Sequence, residues 1–384
     1  PPGSKPAAMG PPWTILGAGA VLTVLTWNRW VDPQVDFGRE LYLAWRISEG
    51  DVLYRDLASF SGPLSPTVNG ALFRILGPGI HPLLVFNMVL LVAITTLSYR
   101  LLAREIGRWP AALACTAFLA LCAFGHSSGY GIFNFVAPYS HELTHGTLLG
   151  LAGLALLGRA ERSRGLRPLL GVGLCAGLSL LLKPEIALAV VGSLGTGVVL
   201  LSVFGTGRVP WLGAAWTFAA GLMAAPLGYL SVGLLEGRGF DWTGLVWPWA
   251  AALNSDVRAS PFYAVTLGLD TPLLHLGTML GWALVWALLT GGAAWATRRL
   301  PRRARGERFT GLAWFGLVTP VAAGAIVLGY WPSAFAPVAP LLAVLLVKAS
   351  SASAGTSSPS SSWRIWGSRP ESGDTASSSR RRHS

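Results

Sequence analysis

The stretch PLLVFNMVLLVAITTLSYR, from Pro82 to Arg100, is mostly apolar and carries no charge before its last residue. An α-helix rises about 1.5 Å per residue, so a run of this length crosses most of the roughly 30 Å hydrocarbon core of a bilayer. Similar segments recur along the chain, and the first is WTILGAGAVLTVLTW, from Trp13 to Trp27. The pattern predicts a bundle of membrane-spanning helices.

The composition agrees with a bundle that faces lipid. Apolar residues make up 52% of the 384 and charged residues 12%, whereas a soluble domain of this size needs far more polar surface. The net charge of +12 does not indicate nucleic-acid binding, because the basic residues form short clusters between apolar segments. The cysteines lie inside predicted spans and show neither disulfide nor metal spacing; they are Cys115, Cys122 and Cys175.

Three arginine clusters set the predicted orientation, because basic loops stay on the cytoplasmic side. They are Arg100, Arg104 and Arg108; Arg159, Arg162, Arg164 and Arg167; and Arg298, Arg299, Arg302, Arg303, Arg305 and Arg308. About ten spans then follow, starting near Trp13, Pro82, Trp109, Glu142, Pro168, Glu185, Trp211, Pro272, Thr310 and Ser333. We predict an all-α, polytopic bundle with both termini cytoplasmic, made of a segment 1–12, a transmembrane domain 13–348 and a disordered, serine-rich tail 349–384.

The predicted outer side carries two long loops, residues 31–81 and 234–262, and most of the acidic residues. Twelve of the seventeen fall there: Asp32, Asp36, Glu40, Glu49, Asp51, Asp56, Glu142, Glu185, Glu236, Asp241, Asp256 and Asp270. Acidic side chains contribute little to topology, so this bias needs another cause. It favours a working surface where the two loops meet the bundle.

The first long loop opens with VDPQVDFGRELYLAWRISEG. Its apolar side chains recur at helical spacing, at Phe37, Leu41, Ala44 and Trp45. This stripe predicts an amphipathic helix that lies flat in the membrane interface. Asp36 stands at the first turn and Glu40 follows four residues later. The pair is either an N-cap with a carboxylate that complements the helix dipole, or Asp36 is a catalytic carboxylate at the membrane surface.

The loop continues as LYRDLASFSGPLSPTVNGALFRILG, and together the two stretches resemble bacterial members of the GT-C superfamily of membrane glycosyltransferases, which includes the protein O-mannosyltransferases. The matching elements are Asp36, Gly50, Tyr54 with Asp56, Gly62 with Pro63, and Gly77. The resemblance is weaker at FNFVAPYS, GLSLLLKPE and YWPSAFAPVAP. Many members carry Asp-Glu at the catalytic position, whereas here Phe37 follows Asp36.

The resemblance implies transfer of a sugar from a polyprenyl-phosphate lipid to a hydroxyl of a glycan, lipid or protein, on the outer face of a bacterial plasma membrane. Asp36 then matches the base, and Asp56 is a second catalytic candidate. The departing phosphate needs positive partners, for which we expect Lys183, followed by Arg55 and Arg258. The other candidate substrate-binding residues are Glu40, Tyr54 and Glu185. A divalent cation could assist, but no tight carboxylate cluster specifies one.

Two other functions remain open. His141, Glu142 and His145 spell HELTH, which satisfies the H-E-x-x-H pattern of zinc proteases, although no later span supplies a convincing third ligand. Polar residues lining an outer cavity are the alternative role for this motif. A transporter or lipid flippase is the non-enzyme alternative. Transporters place polar groups near the bilayer midplane and often contain repeated halves, whereas no internal repeat is seen here.

Overall fold

The computed structural model describes residues 11–288, except 28, 32–35, 126–133, 164, 205–209, 237–238, 240, 255–259, 267–269, 279, 282–283 and 285–287. Over these residues the chain is all-helical, as predicted, and contains no β-strand. The helices are α1 Pro11–Leu25, α2 Phe37–Glu49, α3 Leu64–Leu76, α4 Ile80–Ile106, α5 Arg108–Phe118, α6 His141–Ser163, α7 Arg167–Ser179, α8 Pro184–Phe204, α9 Trp211–Leu235, α10 Thr243–Leu253 and α11 Pro261–Thr266. A π-helical turn, Leu119–Ala123, extends α5.

Three helical segments are long and apolar enough to cross a membrane: Ile80–Glu105 in α4, Pro184–Val203 in α8 and Trp211–Leu235 in α9. Shorter apolar helices cover Pro12–Leu25, Arg108–Ala123 and Arg167–Ser179. These elements begin close to predicted starts of spans. The spans predicted near Thr310 and Ser333, the third arginine cluster, residues 1–10 and the tail lie outside the described residues.

One polar contact joins α4 and α6. The Asn87 amide lies 3.0 Å from the His141 ring, near the start of both helices. Arg104 and Arg162 lie in the last turns of α4 and α6. In α4 and α6 the basic residues thus lie at the helix end away from the first long loop, and the orientation in a membrane stays a prediction.

Glycines allow α7 and α9 to approach until their backbones touch. A Cβ atom added at Gly173 would lie 2.1 Å from the Phe218 carbonyl oxygen, and one at Gly221 would lie 2.2 Å from the Leu170 oxygen. No side chain fits in such a gap. Small residues permit this kind of close packing between apolar helices.

The two amphipathic helices of the first loop, α2 and α3, pack against each other through Gly70. A Cβ atom at this position would lie 2.6 Å from Cγ2 of Ile47. Arg74 adds a hydrogen bond of 3.0 Å to the Ile47 carbonyl oxygen.

The apolar stripe predicted for α2 differs in part from the face that is buried in the structure. Trp45 is exposed and bonds to Glu49, whereas the charged Glu40 is buried with Phe37, Leu43 and Ala44.

The Gly-Pro element of the first loop docks onto the turn between α7 and α8. Gly62 N–H donates to the Leu182 carbonyl oxygen at 3.0 Å, and Leu64 N–H donates to the Leu181 oxygen at 2.9 Å. A Cβ atom at Gly62 would lie 2.3 Å from the Leu181 oxygen, so only glycine fits there. This docking fixes the turn that carries Lys183.

We expect Gly221→Ala to destabilise the protein and Gly228→Ala to leave it unchanged or slightly more stable. Both glycines lie on α9, but nothing lies within 4 Å of a Cβ atom at Gly228. Forcing a methyl group between two touching backbones typically costs about 1 to 3 kcal/mol, whereas alanine is the better helix former at an open position. Thermal unfolding of both variants in one detergent measures the difference. Equal midpoints would show that α7 and α9 are not in backbone contact.

Candidate functional site

Asp36 immediately precedes α2 and has an exposed side chain. Its carbonyl oxygen accepts hydrogen bonds from the Arg39 and Glu40 N–H groups at 3.0 and 3.3 Å. Its carboxylate makes no capping hydrogen bond. The backbone φ of 50° lies in the region that residues with a side chain rarely adopt. The helix start therefore uses the backbone of Asp36 and leaves its carboxylate available on the surface.

Tyr139 is the centre of a polar group that we call the Tyr139 cluster: Asp36, Arg39, Tyr139, Lys183 and Glu185. The Lys183 ammonium lies 5.2 Å from the centre of the Tyr139 ring, and the Arg39 guanidinium lies 3.4 Å from the Tyr139 carbonyl oxygen. Burial raises the pKa of Tyr139, and the charges of Glu185, Glu142 and Asp36 raise it further. Lys183 thus contacts the Tyr139 side chain, whereas Asp36 acts on it through its charge.

Lys183 is bound to the Tyr139 ring, an arrangement in which an ammonium group is attracted to the aromatic face. Lys183 and Glu185 do not form a salt bridge with each other in the described part of the chain. Glu185 instead lies exposed in the first turn of α8, where its charge complements the helix dipole. The lysine also attracts the buried Glu142 carboxylate.

Beneath this surface, Glu40 and His141 form a buried pair. Oε2 of Glu40 lies 2.9 Å from Nδ1 of His141, and Oε1 of Glu40 accepts a hydrogen bond of 2.9 Å from Arg39. Glu40 is 3% exposed and His141 is fully buried. Burial alone would raise the pKa of the Glu40 carboxyl, but the hydrogen bond and charge of His141, together with Arg39, lower it to about 2. The carboxylate is therefore ionised and anchors the exposed Arg39 to the interior.

The HELTH segment begins α6 and is buried, with each of its polar side chains facing protein. Both ring nitrogens of His141 are engaged, Nδ1 by Glu40 and Nε2 by Asn87. His145 Nδ1 lies 2.8 Å from the Ser65 hydroxyl, and Ser140 donates to Glu142. Within the described part of the chain, no group of three His, Cys, Asp or Glu residues could hold a metal ion. The segment joins α6 to α2, α3 and α4.

Asp56 and Arg55 form a separate pair on the surface, with the Arg55 guanidinium 2.8 Å from the Asp56 carboxylate. Asp56 also accepts a hydrogen bond of 2.9 Å from the Val52 N–H. The Arg55 hydrogen bond, with that of Val52, lowers the pKa of Asp56 to about 2. Such a carboxylate is a weak proton acceptor. No contact between described residues joins this pair to the Tyr139 cluster, and Arg258 lies outside the described residues.

The two long outer loops meet through α10 and the segment around Tyr54. The Trp247 indole donates a hydrogen bond of 2.9 Å to the Ser59 carbonyl oxygen. Tyr54 donates to the Ser61 oxygen at 2.6 Å, and burial raises the pKa of its hydroxyl. The Tyr54 hydroxyl thus forms a hydrogen bond within the protein. Trp247 serves here as a link between loops.

Sequence reasoning missed Arg39 and Tyr139. Arg39 lies off the apolar stripe predicted for α2. The pattern therefore predicts a side chain that faces solvent and gives no reason to assign it to a site. The spacing did contain a signal, since Arg39 follows Asp36 by three residues and therefore lies on the same side of the helix. Tyr139 lies in FNFVAPYS, one of the segments of weaker resemblance. Neither feature of the sequence predicts that Arg39 contacts Tyr139.

The Tyr139 cluster combines an exposed carboxylate with two held cations. A carboxylate can remove a proton from a hydroxyl group, and an arginine with a lysine can bind an anionic group such as a phosphate. Comparison of the chain with protein-family models, with curated proteins and with solved structures finds no match. The assignment of function therefore depends on this geometry.

We expect Glu40→Gln to destabilise the protein at pH 7 by about 2 kcal/mol, because it removes the charged partner of two groups in a buried pair. The folded-state pKa of Glu40 is lowered from 4.5 to about 2, so its stabilising effect is full above pH 4.5 and declines as the pH falls toward 2. The variant should lose less stability over that interval than the native chain. Denaturant unfolding at several pH values measures both effects.

Glu49→Gln is the matched control, since Glu49 is on the same helix and forms an exposed ion pair with Arg46 at 2.9 Å. Exposed pairs contribute at most about 1 kcal/mol. If Glu40→Gln were as stable as Glu49→Gln at every pH, the buried pair would not hold α2 in place.

Proposed function

We propose that this protein is a membrane glycosyltransferase that moves a sugar from a polyprenyl-phosphate lipid to an acceptor hydroxyl. The observation that carries the proposal is the Tyr139 cluster, in which Arg39 contacts the Tyr139 carbonyl oxygen, Lys183 contacts the Tyr139 ring, and the charge of Asp36 acts on the same residue. The reaction needs a base for the acceptor and positive groups for the leaving phosphate. The first outer loop supplies the carboxylate and one cation, and the turn before α8 supplies the other.

In the proposed reaction Asp36 accepts the proton of the acceptor hydroxyl as the oxygen attacks the anomeric carbon of the sugar. A new carbon–oxygen bond forms, the bond from that carbon to the phosphate oxygen breaks, and the lipid phosphate leaves with the bonding electrons. A single displacement of this kind inverts the anomeric centre. Asp36 is exposed, whereas the ion pair with Arg55 makes Asp56 the weaker base. We therefore assign the base to Asp36 alone.

Arg39 and Lys183 bind the phosphate in this scheme. Arg39 has a side chain that is 40% exposed, so its guanidinium can reach a ligand while Glu40 fixes its orientation. An arginine held in this way forms directional hydrogen bonds to phosphate oxygens, and a lysine adds a point charge. Each cation contacts Tyr139, Arg39 at its carbonyl oxygen and Lys183 at its ring, and these contacts limit their movement. Glu40 is a positioning residue here, because it acts through Arg39.

The proposal includes the arrangement in the membrane. The Tyr139 cluster is near the start of α6 and α8, at the end of the bundle opposite the arginine-rich turns. Since basic loops stay in the cytoplasm, this end faces outward. We propose about ten spans over residues 13–348, cytoplasmic termini, a disordered tail over 349–384, and a place in a bacterial plasma membrane. A lipid-borne donor then enters from the outer leaflet.

Asp36→Asn should lower transfer of sugar by about 10² to 10⁴-fold while the protein still folds and inserts, because the amide cannot accept the proton. The assay uses purified protein in lipid vesicles, with a membrane extract as the source of radiolabelled polyprenyl-phosphate sugars. Transfer of label out of the lipid fraction is counted. Asp51→Asn is the control, since Asp51 lies in the same loop and is paired with Arg46 at 2.7 Å.

Full transfer by Asp36→Asn would exclude this residue as the base. Absence of transfer by a folded native chain, with every lipid sugar in the extract, would contradict the enzyme itself. Movement of label across the vesicle membrane without a glycosylated product would then identify a transporter. Loss of activity on chelation and on His141→Ala would identify zinc chemistry.

Arg39→Gln and Lys183→Gln should each weaken the apparent affinity for the donor about tenfold or more, because each removes one charged hydrogen-bond donor to the phosphate. Arg55→Gln should change it little, since Arg55 is paired with Asp56 away from the cluster. Initial rates at several donor concentrations give KM and kcat for the three variants. A larger effect at Arg55 than at Arg39 would place the phosphate elsewhere.

A further inference from the structure

The buried face below the proposed site contains several polar atoms that lack a hydrogen-bond partner. Among the described residues they include Nε2 of His145, both amide atoms of Asn69 and Oδ1 of Asn87. Asn69 and Asn87 are fully buried and His145 is 8% exposed. A buried polar group without a partner costs about 1 to 3 kcal/mol, so native proteins seldom leave several in one region.

Contacts connect these side chains into one group. Ser65 on α3 lies 2.8 Å from Nδ1 of His145, and Asn69 follows Ser65 by one helical turn on the same buried face. The Asn87 amide lies 3.0 Å from the His141 ring, whose centre is 6.2 Å from that of His145. The unpartnered atoms thus belong to neighbouring side chains on α3, α4 and α6.

The atoms differ in what they require. Nδ2 of Asn69 can only donate a hydrogen bond, whereas Oδ1 of Asn69 and Oδ1 of Asn87 can only accept one. A cation would satisfy the two oxygens but not the amide N–H groups, and an anion would do the reverse. A water molecule both donates and accepts, and buried waters typically form about three hydrogen bonds to groups of this kind.

We propose that Asn69, Asn87 and His145 bind internal water between α3, α4 and α6. This water completes the hydrogen bonds of the HELTH segment and connects the interfacial helix α3 to the two longer helices. The proposal does not depend on the transferase function. In this proposal the HELTH segment forms a hydrated polar contact between helices, and not a metal site.

Radiolytic hydroxyl-radical labelling of the full-length native protein in detergent tests the proposal. Irradiation converts bound water to hydroxyl radicals at the site where it is bound, so a buried side chain next to that water is oxidised. We expect label on His145, although it is only 8% exposed. Cys175 is the control, since it is 9% exposed within an apolar cluster and its sulfur is easily oxidised. Protection of His145 equal to that of Cys175 would overturn the proposal.

A second measurement uses Asn69→Leu, which keeps the branched shape of the side chain and replaces its two polar atoms with methyl groups. If the region holds water, the variant should lose most of the label on His145 and unfold a few degrees lower than the native chain, because the remaining groups lose a shared partner. If the region is dry, the same change removes two unpartnered atoms and the unfolding temperature rises. A rise would contradict bound water even if the label were ambiguous.

Discussion

The buried contact between Glu40 and His141 is the interaction on which the geometry of the outer end depends. It joins α2, a helix of the first loop, to the start of α6 at 2.9 Å, and Asn87 extends the connection to α4. Two ionisable groups in an apolar surrounding are stable only when each is paired, so neither helix can rotate or slide without exposing an unpaired group. The pair therefore fixes α2 more strictly than apolar packing would.

Two close backbone contacts complete this framework. Gly62 attaches the first loop to the turn before Lys183, and Gly173 with Gly221 brings α7 against α9. Lipid is as apolar as the helix surfaces, so the hydrophobic effect does not drive such helices together. Close packing has to stabilise their contact instead. The consequence for the candidate site is that Arg39 and Lys183, which are far apart in sequence, are held by separate contacts and both meet Tyr139.

The all-helical fold and the starts of most apolar helices could be predicted from the sequence, because apolar runs of sufficient length such as 82–100 leave few alternatives. The choice of Asp36 as the base depended on the family resemblance, and the roles of Asp36 and Lys183 stay predictions. The burial of Glu40 could not be predicted, since a carboxylate on an amphipathic helix normally faces water, and only the spatial position of His141 reverses that expectation. Likewise, spacing within α2 shows which residues share a face but not which other segment that face contacts.

Arg39 and Glu40 are consecutive residues, and successive side chains on a helix point about 100° apart. One can therefore face the surface while the other faces the bundle, and the hydrogen bond of 2.9 Å between them transmits the position of the buried pair to the exposed guanidinium. A change at His141 should thus disturb Arg39, although the two side chains differ greatly in exposure. The Arg55–Asp56 pair has no such buried partner among the described residues, and its cation is held by the neighbouring carboxylate alone. This difference in support, more than a difference in charge, is the reason why we propose Arg39 and not Arg55 as the arginine that binds a phosphate.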